Sequence, residues 1–367
     1  MTSSHTLMHS FGISIGALLL MPVGQAEDVI QFDPDLGELP ESVVVDDAGV
    51  VYASLSAKLA VAKIHLDGEV DELPITQEAL PEGALGALGI AVDGHGNLFV
   101  AVQGCGAAEC SAANGVWHIA AHGRSRKIAG TKQIPFPNDV TLDGQGNLYV
   151  SDTTGGAIWI IRNFMRGSSQ HHFGWPKIWV QDPQLLGTGF FGAFGEPFPL
   201  GANGIAFSPV SHSKGEILVA NTEQASVLAI AIDRHTRPGP IEVVAGGLCA
   251  ESPIGGVCDP RLLSVDGIAV DRYGDVFAVT LIRLGTAGLE PVSSLYHIKR
   301  RTGDVQLVHE GAPLNQATDV ATGRSSADAK TAWIANPGFL APALGLTPEP
   351  SVASLELENS WFATTTP

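Results

Sequence analysis

One strand–turn–strand unit recurs along the chain, and this repeat constrains the fold more than any other feature. In its clearest copy, residues 138–152, Val140 and Leu142 alternate with polar residues, which is the period of a half-buried strand. An Asp-Gly-Gln-Gly turn follows at 143–146, because Gly accepts positive φ and Asp bonds its own backbone. Copies spaced by roughly 50–60 residues predict an all-β fold, a six-bladed β-propeller.

The residue that opens the first strand of each copy forms an informative column. The six residues are Glu41, Leu88, Asn138, Asn203, Asp266 and Asp319, and all of them except Leu88 carry a carboxylate or an amide. The first strand of a propeller blade is innermost, so we expect these side chains to ring one mouth of the central channel. Polar residues also cap strand ends and turns, which is the structural alternative for any single copy.

The repeat covers nearly the whole chain of 367 residues, which predicts one propeller domain over 27–367. Residues 1–26 read as a secretory signal peptide, because an apolar core at 11–23 precedes small residues at 24–26. A membrane anchor is the alternative, but this apolar run is too short to span a bilayer comfortably. We therefore expect a protein that is secreted or lies in the lumen of the secretory pathway, with no stable membrane insertion after signal cleavage.

The charge balance bears on the partners of the protein. The formal net charge is −18, from 20 basic and 38 acidic residues. Nucleic acids and anionic membranes bind clustered Lys and Arg, so neither is an expected partner. We expect a monomer that binds an apolar small molecule.

The four cysteines fall in two close pairs, Cys105 with Cys110 and Cys249 with Cys258. In an exported protein, such pairs predict two disulfides that close short loops. Zinc binding is the alternative, and it is disfavoured because there is no Cys-x-x-Cys spacing and no nearby His pair.

A stretch rich in aromatic residues, 171–200, lies between the third and fourth copies of the repeat. It has few charges and seven aromatic residues: Phe173, Trp175, Trp179, Phe190, Phe191, Phe194 and Phe198. We expect a loop insertion over the channel mouth that forms an apolar lid on a ligand funnel. A self-packed hydrophobic cluster is the alternative. The predicted substrate-binding residues are Phe136, Trp175, Trp179, Phe190, Phe191 and Phe194.

The polar column resembles that of the SMP-30/gluconolactonase/LRE-like six-bladed propellers, and the resemblance covers nearly the whole mature chain. In that family a divalent cation, usually calcium, sits at one end of the channel. The resemblance implies Glu41, Asn203 and Asp266 as its ligands here, with Asn138 beside metal and substrate, and no organic cofactor. Oxygen ligands suit a hard cation, since calcium takes about six to eight of them.

Two positions depart from the family pattern. The family's blade 1 Glu is usually followed by Gly-Pro, whereas Ser42 and Val43 follow Glu41 here. In the sugar-lactone enzymes of the family, an Arg two residues before the blade 3 Asn binds substrate hydroxyls, and Phe136 stands at that position here. The substitution favours apolar ligands over polyols.

Three functions are compatible with these features. Some fungal secondary-metabolite propellers that resemble the family catalyse hetero-Diels–Alder cyclisation, in which alignment of the partners can supply about 7–11 kcal/mol. This cyclase is our prediction, with Asp266, Asn138 and Phe136 as catalytic residues. A calcium-dependent hydrolase of an apolar lactone is the first alternative, with Asp266 or a bound water as base. The second is a ligand-binding propeller in which the polar ring is structural.

Overall fold

The computed structural model describes residues 26–106, 109–163, 172–194, 199–209, 214–249, 256–285, 288–323, 329–342, 347–358 and 361. The predicted signal peptide, apart from Ala26, lies outside the described residues, and so does Phe198. The remaining predictions concern residues that the structure describes at least in their backbone.

Six four-stranded antiparallel sheets form the six blades of a β-propeller, which confirms the predicted fold class. The outer strand of blade 6 comes from the N-terminal part of the chain and is β1 (Ala26–Gln31). Blade 1 contains β2 (Pro40–Val45), β3 (Val51–Leu55), β4 (Ala60–Ile64) and β5 (Val70–Pro74). Blade 2 contains β6 (Gly86–Val92), β7 (Leu98–Gln103), β8 (Gly115–Ile119) and β9 (Ser125–Lys127). Blade 3 contains β10 (Pro137–Leu142), β11 (Leu148–Asp152), β12 (Ala157–Ile161) and β13 (Lys177–Gln181).

The second half of the ring repeats this arrangement. Blade 4 contains β14 (Ala202–Ser208), β15 (Glu216–Asn221), β16 (Ser226–Ile232) and β17 (Pro238–Gly246). Blade 5 contains β18 (Val265–Val270), β19 (Val276–Thr280), β22 (Ser294–Ile298) and β23 (Val305–Glu310), with a small hairpin of β20 (Arg283–Gly285) and β21 (Gly288–Glu290). Blade 6 adds β24 (Asp319–Thr322), β25 (Thr331–Asn336) and β26 (Ser351–Glu356) to β1. Short 3-10 helices lie at Pro34–Leu36, Thr131–Gln133, Pro183–Leu185, Phe190–Phe194 and Pro260–Leu262.

The N-terminal strand closes the ring. β1 pairs antiparallel with β26, so that Gln31 lies opposite Ser351. β1 therefore supplies the fourth strand of blade 6. Joining both parts of the chain in one sheet removes the open edges that an incomplete ring would leave.

The hydrophobic core lies between the blades. Each blade is covered on both faces by its neighbours, so its strands bury nearly continuous apolar runs rather than one alternating face. Tyr149 and Trp179 of blade 3, for example, pack with Ile217 and Leu228 of blade 4. This packing fixes the angular position of each inner strand around the channel.

The two ends of the propeller differ. At one end, tight turns connect the first strand of a blade to the second, as at 46–50, 93–97, 143–147 and 271–275. An Asp opens each of these turns, and its carboxylate accepts the N–H groups two and four residues on. We call this the turn end.

The opposite end, where the inner strands begin, carries most of the longer connections, at 104–114, 182–201, 247–264, 281–293 and 337–350. We call it the ring end. Both predicted disulfides are confirmed here, Cys105–Cys110 and Cys249–Cys258. Long connections on a rigid scaffold are where function concentrates, so the ring end is the candidate functional face. Among the described residues no helix is long and apolar enough to cross a membrane.

Candidate functional site

The polar column occupies one level of the channel at the ring end. In every blade the first regularly paired apolar residue of the inner strand fixes the register, as in Val43 opposite Ala53 and Val140 opposite Val150. The residues two positions earlier are Glu41, Leu88, Asn138, Asn203, Asp266 and Thr318, which we call the ring residues.

The register corrects one predicted member of this ring. Asp319 was expected to be the sixth ring residue, but Val320 pairs with Ile334, so Thr318 holds that position. Asp319 therefore belongs to the next level into the channel. Blade 6 carries two consecutive polar residues, and the sequence repeat alone cannot show which of them is in register.

The next level contains Ser42, Gly89, Asp139, Gly204, Gly267 and Asp319, which we call the waist residues. The side chains of Ser42, Asp139 and Asp319 accept hydrogen bonds from backbone N–H groups on the inner strands of neighbouring blades. Asp319 Oδ2 accepts the Val43 N–H at 3.0 Å and the Ser42 hydroxyl. Asp139 Oδ2 accepts the Ile205 N–H at 2.8 Å. These carboxylates therefore join blade 6 to blade 1 and blade 3 to blade 4.

Two waist glycines leave room for these carboxylates. A Cβ on Gly89 would lie 2.0 Å from Asp139 Oδ1, and a Cβ on Gly267 would lie 2.0 Å from Asp319 Oδ1. Both distances are far below van der Waals contact, so the glycines are required for the close approach of the inner strands.

Two threonines orient the ring asparagines. The Asn138 amide nitrogen donates to Thr153 Oγ1 at 2.9 Å, and Thr153 donates its only hydroxyl proton to the Ala202 carbonyl. Because that proton is used, the hydroxyl oxygen must accept, which fixes the NH₂ group of Asn138 toward it. The amide oxygen of Asn138 therefore faces away from Thr153.

Blade 4 repeats this relay. The Asn203 amide nitrogen donates to Thr222 Oγ1 at 3.0 Å, and Thr222 donates to the Val265 carbonyl at 2.9 Å. Each relay also links its blade to the next. Sequence reasoning missed both threonines, although each directly follows the polar residue that ends the second strand of its blade.

The ring carboxylates have no such partners. Glu41 and Asp266 are 8% and 7% exposed, and within the described part of the chain no hydrogen bond reaches either carboxylate. Burial raises the pKa of Glu41 well above its usual range, and the charges of Asp266, Asp319 and Asp139 add to this. Burial and the charges of Asp319 and Asp139 raise the pKa of Asp266 in the same way.

The waist carboxyls take part in this cluster. Burial, followed by the charge of Asp319, raises the pKa of Asp139, although hydrogen bonds from Ile205 and Val140 oppose the shift. Burial raises the pKa of Asp319 to about 7 against hydrogen bonds from Ser42 and Val43. Sequence reasoning missed Asp139 as a member of the cluster, although it directly follows Asn138.

The donor set fits a hard divalent cation. Glu41 and Asp266 offer carboxylate oxygens without hydrogen-bond donors, and Asn138 and Asn203 offer amide oxygens whose NH₂ groups are already bonded. All four donors are oxygens, which calcium prefers. A cation would also offset the repulsion that raises the pKa of the carboxyls.

The main cavity of the channel lies on the other side of the waist. It has a volume of about 520 Å³ and runs from Asp139 and Asp319 to the turn end, between apolar residues such as Val92, Val140 and Phe207. None of the ring residues lines it. The waist carboxylates therefore separate the cavity from the ring. The oxygen donors that could bind a cation lie in the ring.

The aromatic stretch does not form one loop over the channel, which corrects the prediction. Residues Lys177–Gln181 are β13, the outer strand of blade 3, paired with β12. Trp179 on this strand packs edge-on against Tyr149 and donates its indole N–H to the Thr236 carbonyl. Trp179 is thus a core residue between blades 3 and 4. Residues 177–181, predicted to belong to the lid, thus form the fourth strand of blade 3.

Two further aromatic residues of the stretch lie between blades 2 and 3. Phe173 packs against Phe99 and His118. Trp175 is 63% exposed and lies beside Gly130, where a Cβ would be 2.8 Å from its ring. Trp175 therefore contacts the connection that leaves blade 2, whereas the prediction placed it in the funnel.

Phe190 and Phe191 of the stretch do lie at the ring end. The N–H of Phe191 donates to Glu223 Oε1 at 2.9 Å, and the Phe191 ring is buried between blades 4 and 5 with Phe190 beside it. Phe194 ends the same 3-10 helix, and its side chain lies outside the described residues. Phe136 is 4% exposed, and its backbone bonds Asp152 and Thr153 beside the Asn138 relay.

Comparison with known proteins identifies the fold. No protein-family model matches the sequence, and no curated protein sequence matches it. Among solved structures, a luciferin-regenerating enzyme is 13% identical with a TM-score of 0.58, over 91% of this chain and 95% of that chain. A gluconolactonase from Xanthomonas campestris is 15% identical with a TM-score of 0.56, over 91% of this chain and 90% of that chain. A calcium-binding protein, regucalcin, from Agrobacterium tumefaciens is 15% identical with a TM-score of 0.50, over 90% of this chain and 91% of that chain.

Proposed function

We propose that this protein is an exported, calcium-dependent hydrolase of an apolar lactone or ester, with its active site at the ring end. The observation that carries the proposal is the set of four ring oxygens on Glu41, Asn138, Asn203 and Asp266. Two of them are buried carboxylates without donors, and two are amide oxygens held by threonine relays. The two disulfides support export, because such bonds persist in oxidising compartments.

A calcium ion held by these oxygens would supply a Lewis acid for the carbonyl of the substrate. Asp266 would accept the proton of the attacking water, because its buried carboxylate stands in the ring and receives no hydrogen bond from the described residues. Asn138 would position the substrate through its amide oxygen. Phe136, anchored through its backbone beside Asn138, would contact the apolar part of the substrate and exclude water.

The solved neighbours support this choice among the three functions. By name, one is a gluconolactonase and another a calcium-binding regucalcin. The departure from a sugar substrate rests on Phe136, because an apolar, nearly buried ring cannot hydrogen-bond a polyol.

The cyclisation predicted from the sequence is the second candidate. It is favoured by Phe136 together with Phe190 and Phe191, which bring apolar surface to the ring end. It is weakened because Trp175 and Trp179 lie elsewhere. The two candidates differ in their products, since hydrolysis adds one water to the substrate and cyclisation adds a ring without adding water.

The test uses the mature chain, a panel of apolar and sugar lactones, and mass analysis of the products. We expect hydrolysis of apolar lactones that calcium removal lowers about 100-fold or more, since Lewis-acid stabilisation is worth several kcal/mol. Asp266→Asn should have the same effect, and Glu78→Gln, at an exposed carboxylate outside the ring, should have none. Phe136→Arg should lower activity on apolar lactones, because it places an unpaired charge in a buried position.

Two outcomes would contradict the proposal. Hydrolysis that persists in calcium-free protein and in Asp266→Asn would exclude the ring as the catalytic centre. A product of unchanged mass with an additional ring would transfer the assignment to the cyclase.

A further inference from the structure

A second buried polar cluster lies in blade 5 at the turn end, away from the ring. Asp271 and Asp275 belong to the turn between β18 and β19, and His297 lies on β22. The Nε2 atom of His297 is 3.8 Å from Asp271 Oδ2 and 4.0 Å from Asp275 Oδ2. One donor atom from each of the three residues lies within 4.8 Å of the other two.

This cluster leaves polar atoms without partners. His297 is fully buried, and neither of its ring nitrogens has a hydrogen-bond partner in the described part of the chain. Asp271 Oδ2 is likewise buried and unpartnered, whereas Asp271 Oδ1 accepts the N–H groups of Tyr273 and Asp275. Distances of 3.8–4.0 Å are too long for direct hydrogen bonds. Burying polar groups without partners lowers the stability of the folded state. An ion or a water bound between these atoms would remove that cost.

Blade 2 shows how the equivalent turn carboxylate, Asp93, is satisfied without an added species. His118 occupies the position of His297, since each is paired with the equivalent residue of the second strand. In the blade 2 turn, the Asn97 amide donates to Asp93 Oδ2 at 2.8 Å. Asp275 replaces Asn97 in blade 5, so that donor is lost and a second carboxylate is gained.

We propose that Asp271, Asp275 and His297 form a binding site for a first-row divalent transition metal of the Zn²⁺ class. One imidazole nitrogen and two carboxylate oxygens match the ligands of zinc, whereas calcium prefers oxygen alone. Two metal–ligand bonds of about 2.0–2.2 Å at a tetrahedral angle span roughly 3.3–3.6 Å, so the His297 and Asp donors at 3.8–4.0 Å need to approach each other by only a few tenths of an ångström to hold an ion. This site is independent of the function proposed for the ring.

Aromatic rings hold the His297 imidazole in place, and one ammonium group competes with a metal ion for Asp275. The ring of Phe277 packs against the His297 imidazole at 4.7 Å, and Trp361 meets it edge-on at 5.6 Å. Lys299 Nζ lies 2.9 Å from Asp275 Oδ2, with 28% of its side chain exposed. An entering ion must displace this ammonium, which has access to solvent. Removing Lys299 should therefore strengthen metal binding.

The bound metal would act on stability. Asp271 and Asp275 sit in the β18–β19 turn and His297 on the third strand, so an ion would tie the turn to β22. Because the unfolded chain holds no such preformed site, binding favours the folded state.

The experiment measures Zn²⁺ binding to the metal-stripped mature chain by calorimetry, with excess calcium present to occupy the ring. We expect one Zn²⁺ per chain. Loss of an outer-shell partner typically costs about 10–100-fold in metal affinity, so loss of a direct ligand in His297→Gln should cost more than this. Asp275→Asn should also abolish binding, while the metal-free melting temperature is maintained or raised, because the new amide can donate to Asp271 Oδ2 as Asn97 does to Asp93 in blade 2.

Three further variants sharpen the test. Lys299→Gln should bind Zn²⁺ more tightly than the wild type, whereas the blade 2 variant His118→Gln and the ring variant Asp266→Asn should bind it unchanged. Substitution by Co²⁺ should give a visible absorption band that disappears in His297→Gln. The proposal is overturned if Asp275→Asn and His297→Gln both retain wild-type Zn²⁺ affinity. It is equally overturned if stoichiometric binding is lost in Asp266→Asn, or if no binding occurs in the wild type, which would leave the cluster bridged by water.

Discussion

Removing calcium should make the stability of the protein fall as the pH rises from 5 to 8. The reason is the cluster of buried carboxyls at the ring and the waist, in which burial raises the pKa of Asp319 to about 7 from the ordinary value of 3.8. A carboxyl whose pKa is raised on folding is protonated in the native state at low pH. The stability that it contributes is complete below pH 3.8 and is lost as the pH rises through about 7.

The size of this effect follows from the shift. A displacement from 3.8 to about 7 corresponds to about 4 kcal/mol in all, at about 1.4 kcal/mol per pH unit. About 2–3 kcal/mol of it falls between pH 5 and 8. Glu41, Asp139 and Asp266 have pKa values raised in the same direction. The titration steps therefore belong to the cluster as a whole and make the dependence steeper.

The assay is urea unfolding of calcium-free protein at fixed pH values from 5 to 8, repeated with saturating calcium. Calcium should abolish the decline, because the bound ion stabilises the ionised carboxyls, and at 100 times its Kd it adds about 2.7 kcal/mol. Asp319→Asn removes one titrating carboxyl, so its pH dependence should be weaker than that of the wild type by about 2–3 kcal/mol over this interval. Asp233, with its pKa lowered to about 2, stays ionised throughout and adds no slope.

A free energy of unfolding that is constant or rises from pH 5 to 8 in calcium-free protein would refute this reasoning. So would an Asp319→Asn variant with the same pH dependence as the wild type, because the slope would then not come from Asp319.

Three further predictions concern the groups that hold the ring and the blades in place. Thr222→Val should lower calcium affinity about 10–100-fold, as measured by calorimetry, because Asn203 loses the hydroxyl that orients its amide; unchanged affinity would show that the relay is not needed. Gly267→Ala should destabilise the protein by about 1–3 kcal/mol or more in urea unfolding, since its Cβ would lie 2.0 Å from Asp319 Oδ1, and a wild-type midpoint would argue against the tight waist. Trp179→Phe should lower the melting temperature while leaving turnover unchanged, because its indole N–H bonds a backbone carbonyl between blades; a turnover defect at wild-type stability would return it to the substrate funnel.

The sequence predicted the parts of the fold that depend on local chemistry. Alternating apolar residues and turns that begin with Asp recur along the chain, so the number of blades and the register of five of the six inner strands could be predicted. The two disulfides could also be predicted, because each one closes a short segment of chain. Glu41, Asn138, Asn203 and Asp266 were identifiable because they stand at the same place in successive copies.

What the sequence could not decide depends on contacts between blades. Asp319 was placed one residue out of register, because only its pairing with β25 and its contact with Gly267 show that it belongs to the waist. Trp179 was assigned to a lid, because an isolated aromatic stretch gives no sign that part of it completes blade 3.

The blade 5 cluster shows the same division. The replacement of an Asn by Asp275 at the turn was visible in the repeat, but its meaning was not. It becomes a candidate metal site only because β22 brings a buried, unpartnered His297 to the same turn. The local pattern of apolar and polar residues determines which residues begin and end a strand. The burial of a side chain and the charges around it depend on which distant segments of the chain pack against it.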